Sequence, residues 1–327
     1  MKKPLIILTG PTAVGKTSLS IELAKAVNGE IISADSMQVY RHMDVGSAKV
    51  TPEEMQGIPH HLIDVLNPDE EFNVTRFQSM AKEAMEGIYR RGHIPIVVGG
   101  TGFYIQALLY DIDFKENEDS PQIRQELERL GEEKGSEYLL EMLREIDPES
   151  ADMIHANNRK RVIRAIEYYR MTGQRISEHN REEHEKQSPY RFYYYVLTCD
   201  RNLLYKRIEM RVDQMLEMGL IEEVTRLKEM GCSRGMVSMQ GLGYKEILDY
   251  LDGKCTLEEA VYVLKRDTRH FAKRQITWFK RERDVRWLEL EEFGGDRRKV
   301  LKHILDEFYK GEGNKEENDT NGTGTDV

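Results

Sequence analysis

Residues 4–17 read Pro4-Leu5-Ile6-Ile7-Leu8-Thr9-Gly10-Pro11-Thr12-Ala13-Val14-Gly15-Lys16-Thr17. The apolar run ending at Thr9 has the length of a buried strand, and the spacing from Thr17 to Val27 predicts a helix. Between them, Gly10 to Thr17 fits the pattern G-x-x-x-x-G-K-[ST] in full. Each residue type has a physical use in that pattern. The glycines let the backbone wrap closely, its N–H groups cradle phosphate oxygens, Lys16 supplies a point charge, and the Thr17 hydroxyl suits magnesium. A glycine-rich turn that merely contains a lysine would lack the strand before it and the helix after it.

Working outward, residues 30–34 and 61–65 predict further strands. Thr75 and Gln78 form a capping box that opens a helix toward Arg91, and residues 94–98 predict another strand. This alternation is that of βαβ units around a parallel sheet, so the fold class is α/β with a P-loop NTPase-like core. From about Lys115 the chain turns charged and helical, with helix starts at Ser120-Pro121 and Asp147-Pro148. Strand character resumes at residues 192–196. A long helix then spans 201–230, and a Thr256/Glu259 capping box opens another. Residues 1–114 and 191–310 are thus expected to form the α/β core with its C-terminal helices, and residues 115–190 a helical insertion domain. Residues 311–327, nearly free of large apolar side chains, are expected to form a disordered tail.

The chain has 327 residues, a formal net charge of −10 and 39% hydrophobic residues, with a mean hydropathy of −0.63. That balance excludes a uniformly basic nucleic-acid coat and a wholly disordered chain. No apolar run approaches the roughly 20 residues that span a bilayer, and the N-terminus lacks a secretory signal. Cys199, Cys232 and Cys255 are far apart and read as reduced thiols of a cytoplasmic protein. His60 and His61 are neighbours, and adjacent strand residues face opposite ways, which argues against a shared metal ion.

Two further features point to a site. Asp35 follows the second strand, where sites assemble in open α/β sheets. The strand at 94–98 ends in Gly99-Gly100-Thr101-Gly102 rather than in the acid many NTP hydrolases carry there. The charge is also unevenly placed. Residues 159–175 hold six Lys/Arg against Glu167 alone, and residues 265–286 hold nine against three acids. Tyr168, Tyr169, Phe271, Trp278 and Phe279 are interleaved with them, a combination suited to loop or single-stranded RNA; two solvated helix faces backed by core aromatics are the plainer reading. Arg207 and Arg211, one helical turn apart, could clamp an anion.

Seven segments in order resemble the tRNA dimethylallyltransferases, also called tRNA isopentenyltransferases: GPTAVGKT from Gly10, DSMQVY from Asp35, GGTGFY from Gly99, NRKRVIRAIE from Asn158, RIEMRVDQML from Arg207, QGLGYKE from Gln240 and KRQITWFK from Lys273. Lys280 departs from the pattern, in which arginine is more usual. The resemblance implies transfer of a dimethylallyl group from dimethylallyl diphosphate to N6 of the adenosine 3′-adjacent to the anticodon. It implies that Asp35 is the general base, that Thr101 orients the reacting groups, and that Gly10, Pro11, Thr12, Ala13, Val14, Gly15, Lys16, Thr17 and Arg211 hold the diphosphate with Mg²⁺ at Thr17. Contacts to the tRNA anticodon stem-loop are implied for Asp35, Ser36, Met37, Gln38, Thr101, Arg124, Arg159, Lys160, Arg161, Val162, Ile163, Gln240, Lys273 and Arg274. A cytoplasmic monomer without membrane association is the expected state. The competing readings are a P-loop kinase for a nucleotide or small metabolite, and a non-catalytic RNA-binding protein or GTPase-like switch.

Overall fold

The computed structural model describes residues 2–114 and 121–320. In chain order its elements are β1 (Pro4–Thr9), α1 (Lys16–Val27), β2 (Gly29–Ala34), α2 (Pro52–Met55), β3 (His60–His61), α3 (Val74–Arg90), β4 (Ile94–Gly99) and α4 (Gly102–Leu109). Next come α5 (Pro121–Lys134), α6 (Ser136–Ile146), α7 (Pro148–Met153), α8 (Arg159–Thr172) and α9 (Ile176–Glu185). The chain closes with β5 (Arg191–Thr198), α10 (Arg201–Glu217), α11 (Leu220–Glu229), α12 (Tyr244–Leu251), α13 (Leu257–Phe279), β6 (Val285–Glu289) and α14 (Arg297–Thr320). The chain divides into two compact units, one of residues 1–108 and 189–327 and the other of Leu109–Ser188. The helical unit therefore begins a few residues earlier, and ends slightly earlier, than composition suggested.

Among the described residues the strands of the first unit form one six-stranded parallel sheet in the order β3-β2-β4-β1-β5-β6. Its central strands are continuous runs of Leu, Ile and Val because helices cover both faces, and Leu5, Ile6, Ile7 and Leu8 are at most 1% exposed. Such burial is worth about 1.5–3 kcal/mol per large side chain. Ile6, Leu8, Leu19, Leu23, Ile96, Tyr195 and Ile208 belong to one core. That core fixes the end of the sheet from which the site is built. This is the P-loop NTPase-like architecture expected from the sequence.

Several expected boundaries differ. The strand at 61–65 is only His60–His61, because Leu62 and Asp64 take positive φ and turn the chain away. The helix at 74–90 is capped not by Thr75 but by Asn73, whose side chain accepts from Arg76 N. The expected helix over 201–230 breaks at Gly219, whose φ of 93° ends α10 and lets α11 start in a new direction. β6, which alternation did not predict, adds an edge strand to β5. α14 runs past Lys310, and Glu312 pairs with Arg191 and accepts from Tyr193 Oη, so the expected tail starts later than residue 311. Residues 321–327 lie outside the described residues.

Among the described residues the elements of the second unit are all helices. Leu127, Leu139, Leu143, Val162 and Ile166 are fully buried in its own core. Asp147 caps α7 through Ser150 N and also accepts from Ser177 N and Oγ, so one buried carboxylate ties two helix starts together.

Candidate active site

The carboxyl ends of β1, β2 and β4 meet in register, with Thr9 and Ala34 both opposite Gly99. The close fit requires glycine at two points. A Cβ at Gly99 would stand 2.1 Å from Ala34 O, and one at Gly10 2.2 Å from Leu197 O. The chain then wraps from Gly10 to Gly15, where φ is 105°, into the first turn of α1. Lys16 Nζ donates to Gly10 O and Pro11 O, both at 2.9 Å. Burial pushes the Lys16 ammonium down to about 7, with the Arg211 charge acting in the same direction and Asp35 opposing it. An arriving anion would favour its charged form. Arg207 Nη1 donates to Val14 O at 3.3 Å, and Arg211 Nη1 reaches Thr12 Oγ1 at 3.4 Å. α10 thus turns both arginines onto the loop.

Asp35 Oδ1 accepts from Met37 N at 2.8 Å and Gln38 N at 3.3 Å. These bonds fix the carboxylate, while Oδ2 takes no protein partner among the described residues. Thr101 N bonds to Ala34 O, and Thr101 O receives the first amides of α4, so its hydroxyl is held at the end of β4. Asp35, Ser36, Met37, Thr101, Thr12, Ala13, Arg211, Gln240 and Arg274 line a single cavity of about 450 Å³ in the first unit. Phe72, Tyr104, Ile208, Val212, Met215, Leu264 and Phe271 supply apolar walls. A second, more open groove is lined by His270, Lys273, Arg274, Thr277, Trp278 and Arg281. Arg274 belongs to both, so α13 leads from a basic outer face into an apolar interior.

Other expected contacts are placed differently. Gln38 is used internally: its Oε1 accepts from Ser33 Oγ and its Nε2 donates to Ala48 O. Lys160 and Arg161 are exposed on α8. With Arg159 they put three cations in a first turn where the helix dipole favours acids, the arrangement expected of a surface that meets phosphates. Arg159 reaches Glu128 O, and Arg124 Nη2 donates to the buried Glu167 at 3.0 Å. The side chains of Val162 and Ile163, at 0% and 5% exposure, pack in the core of the helical unit, with Ala165 and Ile166 on the same broad inward face of α8. They hold up the face that shows Lys160 and Arg161.

Sequence reasoning did not single out Gln275 or Glu223. Gln275 is buried, accepts from Thr12 N at 2.9 Å and donates to Gly100 O at 3.0 Å, tying the phosphate loop to the end of β4. Its one signal is an uncharged polar residue inside a basic segment. Glu223, 1% exposed, accepts from Asp44 N, Val45 N, Gly46 N and Tyr244 Oη. It anchors the loop that brings Gly46 and Ser47 to the cavity, and an acid on a helix gives no sequence hint of that.

Comparison with known proteins agrees with this geometry. A family model described as IPP transferase matches residues 38–282, and one described as isopentenyl transferase matches residues 3–67. The tRNA dimethylallyltransferase of Lachnoclostridium phytofermentans is 61% identical over 294 residues, 90% of this chain and 94% of the relative. That of Carboxydothermus hydrogenoformans is 53% identical over 88% of this chain and 93% of its own length. Among solved structures, the tRNA isopentenylpyrophosphate transferase of Bacillus halodurans superposes with a TM-score of 0.72 at 43% identity, covering 97% of this chain and 100% of the other. A eukaryotic dimethylallyltransferase acting on tRNA superposes with a TM-score of 0.81 at 32% identity, covering 94% of this chain and 80% of the other. With identity this high over nearly the whole length, and with the phosphate loop, Asp35 and Thr101 gathered at one cavity, the chain belongs to the tRNA dimethylallyltransferase family.

Proposed function

We propose that the protein transfers a dimethylallyl group from dimethylallyl diphosphate to N6 of the adenosine 3′-adjacent to the anticodon of tRNA, giving N6-(dimethylallyl)adenosine, and that it works as a cytoplasmic monomer. The observation that carries this reading is the shared cavity, lined by Thr12 and Ala13 of the phosphate loop, by Arg211 and Asp35, and by apolar side chains. The apolar walls suit a five-carbon prenyl group, and the basic groove beyond Arg274 suits an RNA backbone. Among the described residues no helix is long and apolar enough to cross a membrane.

In the reaction, the N6 nitrogen attacks C1 of the dimethylallyl group. The C1–O bond breaks, diphosphate leaves with the bonding pair, and the N6 proton passes to Asp35. The amine's lone pair is delocalised into the purine, so a fixed carboxylate that takes the proton is worth about 10²–10⁴-fold. The Thr101 hydroxyl holds the amine in line. Lys16, Arg211 and the loop amides stabilise the charge that develops on the leaving group. The target base must leave its stack, which costs a few kcal/mol and less in a loop than in a duplex.

No cluster of three His, Cys, Asp or Glu that could hold a metal occurs among the described residues. The Thr17 hydroxyl, exposed at the start of α1, fits magnesium, a hard ion that keeps waters and needs one or two protein oxygens beside a substrate's phosphates. Bound there, Mg²⁺ would add positive charge against the departing diphosphate.

The test is incubation with tRNA and labelled dimethylallyl diphosphate, with γ-labelled ATP and GTP in parallel. Label on the adenosine supports the reading. Label transferred from the γ-phosphate would make the protein a kinase, and no transfer from any donor would leave a binding protein.

A further inference from the structure

Arg297, the first residue of α14, lies beyond the segments that carry the family resemblance and beyond residue 282, where the family model ends. Its guanidinium is nevertheless laid against the phosphate loop. Nη1 donates to Ser18 Oγ at 2.7 Å. Nη2, Cζ and Nε stand 3.2, 3.6 and 3.7 Å from the point a Cβ on Gly15 would occupy. Gly15 is the turn at which the loop enters α1, so this is the positive end of that helix.

Among the described residues nothing acidic offsets the guanidinium there. Arg297 has no carboxylate partner among the described residues, and the neighbouring Asp296 uses Oδ1 to accept from Arg298 N. Arg297, Arg298 and Lys299 also open α14 with cations where its dipole favours acids, and no acid stands in that first turn. A long, exposed side chain with these surroundings has reason to extend into water, yet it folds over Gly15 and Ser18. Arg211 serves the other end of the same loop, at Thr12. The two guanidiniums therefore flank the loop at both ends, an arrangement that suits two linked phosphates better than one.

We propose that Arg297 is a further ligand of the donor's diphosphate, supplied by the C-terminal helix, and that with Arg211 it selects a diphosphate over a monophosphate. This rests on the assignment of the phosphate loop to the prenyl donor.

The experiment measures binding of inorganic diphosphate and inorganic phosphate by calorimetry, and prenyl-transfer kinetics, for wild type, Arg297→Ala, Arg297→Lys and Arg298→Ala. Arg297→Ala should weaken diphosphate binding by about tenfold and raise the donor KM by a similar factor. Its affinity for tRNA and its unfolding temperature without ligand should stay close to wild type. Phosphate binding should fall less, Arg297→Lys should recover part of the loss, and Arg298→Ala, which removes a neighbouring exposed charge, should behave as wild type. Diphosphate affinity within about twofold of wild type in Arg297→Ala, or an equal loss in Arg298→Ala, overturns the assignment. A wild type that binds diphosphate through Arg297 but transfers no prenyl group would instead overturn the proposed reaction and leave the ligand assignment standing.

Discussion

Glu30 and Asp35 stand at opposite ends of β2 and show how far position sets a carboxylate's work. Glu30, buried near the start, accepts from Arg91 in a two-pronged pair and meets His61 Nε2 and His93 Nδ1. The Arg91 hydrogen bond is the chief reason its carboxyl is held down at about 2, with burial opposing it. A carboxyl depressed on folding stabilises the native state above its ordinary value of 4.5, and this contribution is lost as the pH falls toward 2. Acid titration of stability should therefore show a loss over that window that is absent in Glu30→Gln; identical profiles would refute it. Asp35 has its Oδ1 committed to two backbone amides, so Asp35→Asn keeps the turn and removes the proposed base. Transfer should drop by about 10²–10⁴-fold with tRNA affinity retained, and single-turnover rates beside a tRNA binding assay check both halves. Lys16 was legible from its place in the loop motif, whereas Asp35 and Thr101 were marked only by their positions after strand ends and took their roles from the family resemblance. The pairing of Glu30 with His61 and His93 was not legible, because the partners are far apart along the chain and only the parallel register of β2 with β3 and β4 brings them together.

At the scale of elements, the cavity depends on helices that contribute little to its chemistry. α11 supplies Glu223, whose carboxylate satisfies three consecutive backbone amides and the Tyr244 hydroxyl. Glu223→Ala would leave those donors buried and unpaired, a loss of about 2–5 kcal/mol, read as a lower urea midpoint. Glu223→Gln, which still offers an acceptor, should lose less. α13 supplies Gln275, and Gln275→Leu should raise the donor KM by freeing the Thr12 end of the loop; an unchanged KM would mean the loop holds its shape alone. The elements that the sequence pattern captured are those with near-continuous burial, as in β1 and β4, or a regular helical stripe, as in α1. Those it missed end or begin at a backbone conformation rather than at a change of pattern, as at Gly219 between α10 and α11 and at Leu62 after β3. α8 shows a related gap. Its basic run was legible, but which residues of that run face outward depends on the core against which Val162 and Ile163 pack.

For the whole molecule, a net charge of −10 coexists with cations concentrated on α8 and α13. If tRNA binds through Lys160, Arg161, Lys273 and Arg274, as proposed, counterions are released and affinity should fall steeply with salt, the logarithmic slope lessening by roughly 0.7–0.9 for each phosphate-contacting cation changed to alanine. A slope that stays the same in Lys160→Ala and Lys273→Ala would remove those residues from the interface. The chain order carries a further consequence. β1, which precedes β5 in the chain, lies between β4 and β5, and only a glycine at position 10 fits against the backbone of Leu197. The whole helical unit is synthesised between β4 and β5. On the ribosome, then, the phosphate loop emerges well before the strand that completes its bed. Its final shape is a late event of folding, delayed by the cost of closing so long a loop, and a nascent chain released before Leu197 would display the motif without the site.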